Sequence, residues 1–132
     1  MTKYLVDTTV LIDSLRHGQT ATQFLEAELP SISCVSAAEL VEGCRDNHEL
    51  ASAKKLYSSL EIYPLYNDVS SRALELVEKY FLSKHLEFLD ALIAATAINI
   101  NLTLVTSNAK HFSFIPNLKL TLWQKLEKEF TS

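Results

Sequence analysis

The chain opens with Tyr4-Leu5-Val6-Asp7-Thr8-Thr9-Val10-Leu11-Ile12-Asp13, a stretch in which one pattern gives way to another. Its first three residues are a short run of strand-forming apolar side chains, and Asp7 ends that run. From Val10 to Leu15 the apolar positions follow the spacing of a helix, which ends at Gly18. The stretch therefore predicts a buried strand that leads directly into a helix.

The same alternation continues along the rest of the chain. Short apolar runs predict strands, and segments with helical spacing lie between them. The predicted strands are 4–6, 32–35, 62–63 and 103–106, with a candidate fifth over 118–120. Capping-box spacing marks two helix starts, at Thr20 with Gln23 and at Ser36 with Glu39. Because no hairpin signal is present, this order predicts an α/β fold with a mostly parallel sheet and helices on both of its faces.

The composition is that of one globular domain, and it excludes several functions. The 132 residues include 12 Lys and Arg against 16 Asp and Glu, which gives a net charge of −4. A protein that holds nucleic acid through bulk charge is expected to be basic, so nucleic-acid binding here needs a local device. Only two glycines are present, which excludes a glycine-rich phosphate loop or dinucleotide site. We expect a single domain over residues 1–132.

Neither a membrane segment nor a disulfide is indicated. No apolar run reaches the length of a membrane span, and the first residues lack the long apolar stretch of a signal peptide. Cys34 and Cys44 are spaced neither as a redox pair nor as zinc ligands. We therefore expect a soluble cytoplasmic protein with no membrane contact.

Four polar residues that are scattered in the sequence are expected to meet at one edge of the sheet. Asp7 follows the first strand and Asn108 follows the fourth. Glu39 and Asp90 lie near the starts of helices that begin at this same edge. Parallel sheets bind ligands at the carboxyl ends of their strands. Each residue also has a purely structural explanation. Asp7 could be only a helix cap and Asn108 only a turn residue. Glu39 could be only the acid of a capping box, and Asp90 only a favourable charge in the first turn of a helix.

Three carboxylates in one cleft favour a bound cation over these separate explanations. Two carboxylates roughly 5 Å apart repel each other by about 3 kcal/mol at an effective dielectric constant near 20. Three would raise one another's pKa unless a cation were present. Mg²⁺ and Mn²⁺ prefer oxygen ligands, and so suit Asp7, Glu39 and Asp90. Such an ion also bridges an acidic pocket to a phosphate, so that overall basicity is unnecessary.

These polar residues fall in four blocks of sequence. The blocks are Tyr4-Leu-Val-Asp-Thr-Thr-Val-Leu-Ile-Asp13, Ser36-Ala-Ala-Glu-Leu-Val-Glu-Gly43, Leu89-Asp-Ala-Leu-Ile-Ala-Ala-Thr-Ala97 and Leu104-Val-Thr-Ser-Asn-Ala-Lys-His-Phe112. In this order and spacing they resemble the four blocks of PIN-domain ribonucleases. The subgroup that they resemble most is the VapC-type toxins of bacterial and archaeal toxin–antitoxin pairs. The resemblance spans nearly the whole chain.

The resemblance implies a three-layer α/β/α sandwich that cleaves RNA phosphodiester bonds with a water activated by Mg²⁺ or Mn²⁺. It also implies a homodimer and inhibition by a small cognate antitoxin. Asp7, Glu39 and Asp90 match the acidic positions and are the expected metal ligands. Asn108 matches the Asn of the last block and completes the expected catalytic set. Thr9 matches a small polar position that supports the water shell of the metal.

One position departs from the family pattern. The family usually has a fourth acid in or beside the last block, but no Asp or Glu occurs between Asp90 and Glu127. The corresponding place reads Lys110-His111-Phe112. Asn108, a water molecule or His111 are the candidates to fill it. One well-held metal ion is therefore better supported than two.

Further polar residues are candidates for roles around this site. Glu42 lies three residues after Glu39 and so shares its helix face, which makes it a candidate to support the metal ligands. The candidates for binding substrate are Arg16, Lys110 and His111, with His17 as a lesser one. For each of these residues, an exposed side chain without a function is the alternative explanation.

Two other functions are compatible with the same residues. Asp7-Thr8-Thr9-Val10 is similar to the D-x-D-x-[TV] motif of haloacid dehalogenase-like phosphatases, whose first Asp is a nucleophile, although Thr9 replaces the second Asp. A phosphorylated Asp7 would identify that chemistry. Alternatively, the missing fourth acid leaves a catalytically weakened binding or scaffold module, which a metal titration distinguishes from an enzyme.

Overall fold

The computed structural model describes residues 2–16 and 18–131, over which short strands alternate with helices. The strands are β1 (Tyr4–Val6), β2 (Ile32–Ser33), β3 (Ile62–Tyr63), β4 (Thr103–Thr106) and β5 (Leu120–Leu122). The helices are α1 (Thr8–Leu15), α2 (Gln19–Glu28), α3 (Cys34–Glu42), α4 (Asn47–Tyr57), α5 (Asn67–Lys84), α6 (Phe88–Asn99) and α7 (Trp123–Thr131). A single 3₁₀ turn covers Ala109–His111.

All the strand pairs are parallel, as predicted. β4 lies between β1 and β5, and β2 pairs with β3. A parallel bridge between Leu5 and Ser31 joins the two groups, since the backbone N–H of Val6 donates to the Ser31 carbonyl at 3.0 Å. The strand order is thus β3-β2-β1-β4-β5. The order of connections reverses at β1, so the carboxyl ends of β1 and β4 flank the crevice where open sheets bind ligands.

Alternating side chains of the central strands face two separate apolar layers. Leu5 and Leu104 pack with residues of α5 and α6, whereas Val6 and Val105 pack with residues of α1, α2, α4 and α7. The sheet therefore lies between two layers of helices. The expected three-layer α/β/α sandwich is confirmed.

Both predicted capping boxes are wrong. β2 ends at Ser33, two residues earlier than expected, and the Ser33 hydroxyl caps α3 by accepting from the backbone N–H of Val35 at 3.1 Å. Ser36 thus lies inside α3. Likewise Gly18, and not Thr20, is the cap of α2. A cap needs an extended backbone, and the chain provides one at the end of the short strand and at the glycine.

The last strand is displaced by two residues from its prediction. β5 begins at Leu120, which pairs with Leu104, and ends at Leu122. Asn117 shortly before it has a positive φ of 66°, which turns the chain into the strand. Over the described residues, no helix combines the length and the apolar character needed to cross a bilayer.

Candidate active site

Asp7 lies at the end of β1, where the chain turns into α1. It is 4% exposed, and its Oδ1 caps the helix by accepting from the backbone N–H of Thr9 at 3.0 Å. The hydroxyls of Thr9 and Thr106 also donate to its two oxygens, at 2.5 Å each. Burial raises the pKa of the Asp7 carboxyl, and these hydrogen bonds act in the opposite direction. Hydrogen bonds from Thr9 to Oδ1 and from Thr106 to Oδ2 thus fix the orientation of the Asp7 carboxylate.

The two threonines tie Asp7 to the loop that follows β4. The backbone N–H of Ser107 donates to Thr9 Oγ1 at 2.9 Å, and that of Asn108 donates to Thr106 Oγ1 at 3.0 Å. The network therefore joins the carboxyl ends of β1 and β4, as the topology predicts. Thr106 is fully buried and was not among the predicted site residues. The signal that could have identified Thr106 is its position as a polar residue directly after the apolar pair Leu104-Val105.

Glu39 approaches this edge from α3. It is the sixth residue of that helix and half-buried, so it is not the capping acid that its spacing suggested. Its Oε1 instead accepts from the hydroxyl of Thr8 at 2.5 Å. Because Thr8 directly follows Asp7, this bond brings the Glu39 carboxylate to the first turn of α1. Thr8 was not among the predicted site residues.

Asp90 lies in the first turn of α6, on the other side of the same edge. Its side chain is 28% exposed, and its Oδ2 lies 3.2 Å from His111 Nδ1. Burial raises the pKa of the Asp90 carboxyl, His111 opposes that shift, and the negative charges of Glu39 and Glu87 add to it. Glu39 and Asp90 are therefore close enough to repel each other. The expected electrostatic conflict among the acids is present at this pair.

A divalent cation suits these residues by charge and donor type. Asp7, Glu39 and Asp90 offer only oxygen donors, and the repulsion between the last two is relieved by a cation. Within residues 2–16 and 18–131, however, no three His, Cys, Asp or Glu side chains form a closed ligand cluster. Mg²⁺ fits such an open arrangement, because it keeps several water ligands and needs only one or two carboxylates.

Three of the remaining candidates, Asn108, Glu42 and Arg16, lie within the described residues. Asn108 is exposed in the loop after β4, with its side chain free of any capping bond. Glu42 is exposed at the last residue of α3. The guanidinium of Arg16 lies 3.3 Å from Glu49, so it is paired with an acid and is not directed at the crevice by any observed contact. His17 lies outside the described residues.

Comparison with known families identifies the class of protein that this fold and site define. The sequence profile of the PIN domain matches residues 4–116, which include Asp7, Glu39 and Asp90. The chain therefore belongs to the PIN-domain family. This match confirms the resemblance stated from the four sequence blocks, and it supports the nuclease prediction over the phosphatase prediction based on Asp7-Thr8-Thr9-Val10.

Individual relatives place the chain within that family. Ribonuclease VapC19 of Mycobacterium tuberculosis is 34% identical, over 87% of this chain and 96% of its own length. Ribonuclease VapC10 of the same organism is 36% identical, over 87% of this chain and 90% of its own length. A toxin–antitoxin complex from Klebsiella pneumoniae contains a chain of the same fold, with a TM-score of 0.73 and 32% identity over 87% of this chain and 94% of that one.

Proposed function

We propose that this chain is a divalent-metal-dependent endoribonuclease and the toxin of a toxin–antitoxin pair. The observation that carries the proposal lies just after β1, where Asp7 caps α1 at the crevice in which the strand connections reverse. There Glu39 of α3 accepts from Thr8 and is close enough to Asp90 of α6 to repel it. The ribonuclease names of the VapC19 and VapC10 relatives support RNA as the substrate. An acidic chain of net charge −4 also needs a local source of positive charge, such as a metal ion or a group of basic side chains, to approach a phosphodiester.

The side chains have separable roles in this proposal. Asp7 and Asp90 would hold Mg²⁺ or Mn²⁺, and Glu39 would hold it or orient the attacking water. The ion, when bound, supplies a water of lowered pKa and offsets the charge of the reacting phosphate. Thr9 and Thr106 fix the direction of the Asp7 oxygens through the bonds described above. Asn108, which is exposed in the loop after β4, would contact the substrate or a water.

The proposal also covers assembly and location. The Klebsiella pneumoniae complex supports a small cognate antitoxin as a partner, and membership of this family supports a homodimer. We infer a cytoplasmic location, because the proposed substrate is RNA. Residues 1–132 are taken as one domain: the profile match ends at residue 116, but Trp123 of α7 packs on Phe24 of α2 with ring centroids 5.1 Å apart.

Cleavage of a panel of structured RNAs tests the function. With Mg²⁺ or Mn²⁺ we expect discrete cleavage products, and with EDTA none. Asp7→Asn should lower the rate by about 100-fold or more, the scale seen when a group that stabilises transition-state charge is removed. Asp68→Asn, which changes an exposed acid in the first turn of α5, is the matched control and should keep full activity. Activity that survives EDTA, or that both substitutions lower equally, would overturn the proposal.

A scaffold function is the second candidate, because the acid set is incomplete. The corresponding place in the last block carries Lys110 and His111, and His111 contacts Asp90. If millimolar Mg²⁺ and Mn²⁺ neither stabilise the protein against unfolding nor permit cleavage of any RNA, the scaffold function is favoured.

A further inference from the structure

A cavity of about 190 Å³ is lined in part by Asp90, and we refer to it as the corner cavity. It is formed where α5 ends, α6 begins and the loop after β4 passes over both. Its walls include Lys84 and His85 from the end of α5, and Lys110 and His111 from the 3₁₀ turn. The acids in its wall are Asp90 and Glu87.

The corner cavity concentrates basic side chains in an acidic protein. Helix stability alone accounts for Lys84, because the helix dipole favours a cation in the last turn of α5. That explanation does not extend to Lys110, which comes from a different element. Within residues 2–16 and 18–131 neither lysine takes part in an ion pair. Both charges are therefore available to an anion.

Aromatic rings accompany these charges. Phe81 is 47% exposed, and its ring packs edge-on against that of His85 with the centroids 6.1 Å apart. Phe88, next to the cavity residue Glu87, is also 47% exposed. Basic side chains beside exposed aromatic rings are typical of surfaces that hold single-stranded nucleic acid, since the backbone meets the charges and the bases meet the rings.

His111 connects the corner cavity to the proposed reaction centre. Its Nδ1 lies 3.2 Å from Asp90 Oδ2, so one imidazole lines the cavity and contacts an acid of the crevice. A strand whose scissile phosphate lies at the three carboxylates therefore has room for a neighbouring phosphate in this cavity. Asp90 therefore borders both the acidic crevice and the basic side chains of the corner cavity.

We propose that the corner cavity is a phosphate-binding subsite for a single-stranded segment of RNA next to the cleaved bond, with Lys84 and Lys110 as its principal ligands. This inference rests on the proposed function and deepens it, because it assigns the path of the substrate on one side of the crevice. Phe81 and Phe88 flank that path and provide surfaces for base stacking.

RNA binding without cleavage tests the subsite. The anisotropy of a short, fluorescein-labelled single-stranded RNA is measured in EDTA over a range of salt concentrations, with the full chain. Lys84→Gln/Lys110→Gln should weaken binding several-fold and reduce the slope of log affinity against log salt by about 1.4, which is about 0.7 for each lost phosphate contact. Lys79→Gln/Lys128→Gln removes the same charge from exposed positions on α5 and α7, and should leave the slope unchanged.

Equal effects of the two double variants, or no effect of either, would overturn the subsite, as would undetectable binding by the unmodified chain. Light scattering after size-exclusion chromatography adds a second readout. If only Lys84→Gln/Lys110→Gln changes the oligomeric state, the face is an interface between copies of the chain and the proposal is wrong. Metal-dependent cleavage that is unaffected by this variant disproves the subsite alone, whereas no cleavage by the unmodified chain disproves the proposed function.

Discussion

At the scale of single residues, Thr106 is the side chain on which the orientation of Asp7 most depends. It is fully buried, donates to Asp7 Oδ2 and accepts from the backbone N–H of Asn108. Thr106→Val keeps the shape of the side chain and removes both bonds. Because one of them is made to a buried carboxylate, we expect the free energy of unfolding to fall by about 1.5–3 kcal/mol in metal-free urea titrations.

Thr96→Val is the matched control for this prediction. Thr96 is equally buried, but its hydroxyl donates to the carbonyl of Leu92 within the same helix, at 2.7 Å. Such a bond back to the helix adds little to stability, so the substitution should cost less than about 1 kcal/mol. Losses of the same size at both positions would show that Thr106 has no special role at the Asp7 carboxylate.

The sequence could predict the acids of the site but not the hydroxyls that hold them. Asp7 directly follows one apolar strand and Asn108 lies two residues after another, and the ends of parallel strands meet at one edge, so their approach follows from pattern alone. The bond between Thr106 and Asp7 joins residues 99 positions apart, and its existence depends on the register of β1 against β4. The contact between His111 and Asp90 likewise depends on the path of a loop.

At the scale of elements, the turn between α1 and α2 depends on close packing at Gly18. A Cβ atom on Gly18 would lie 2.6 Å from the carbonyl oxygen of Asp13 and 2.5 Å from its Oδ1. The carboxylate cannot simply swing away, because it accepts from the indole N–H of Trp123 in α7 at 2.9 Å. Gly18→Ala should therefore lower the free energy of unfolding by about 1–3 kcal/mol, measured by urea denaturation.

Gly43 offers the comparison within the same chain. It caps the end of α3 with φ −83° and ψ −5°, and a Cβ there would meet its nearest neighbours at 3.6 Å. Alanine fits this position without strain and restricts the unfolded chain, so Gly43→Ala should be neutral or stabilise by up to about 1 kcal/mol. If both substitutions have the same effect, the turn is not held by the packing described at Gly18.

The existence and order of the elements followed from the sequence, but their starts did not. Apolar periodicity predicts each strand and each helix because burial of a stripe is a property of the local pattern. A helix start depends instead on which residue is extended when the chain leaves the strand. Ser33 and Ser36 are both good caps by residue type, and the two-residue length of β2 is what selects Ser33.

At the scale of the whole molecule, the raised carboxyl pKa values couple folding to pH. Burial raises the pKa of Asp90 above its ordinary 3.8, and repulsion from Glu39 adds to the shift. The folded state thus binds this proton more tightly than the unfolded state, and the associated stability is lost as pH rises from about 4 through the folded pKa. In EDTA, Asp90→Asn should weaken this pH dependence and leave the protein at neutral pH at least as stable as the unmodified chain.

Asp68→Asn separates this effect from the general role of an acid at a helix start. Asp68 and Asp90 both lie in the first turn of a helix, but Asp68 is exposed. Its removal should cost about 0.3–1 kcal/mol through the helix dipole, with no gain at neutral pH. A clear loss of metal-free stability in Asp90→Asn would instead indicate that Asp90 serves the fold of α6.

The same repulsion, relieved by a cation, should appear as a gain in stability when metal is added. A ligand that binds only the folded state contributes about 2.7 kcal/mol at a concentration of 100 times its dissociation constant. Thermal unfolding of the unmodified chain should therefore shift upward as Mn²⁺ is raised, because the ion removes the repulsion between Glu39 and Asp90. Asp90→Asn, which has already lost that repulsion along with one anionic ligand, should gain much less, whereas Asp68→Asn should gain as much as the unmodified chain. Equal shifts in all three proteins would place the bound ion elsewhere and remove the electrostatic basis for a metal site at this edge of the sheet.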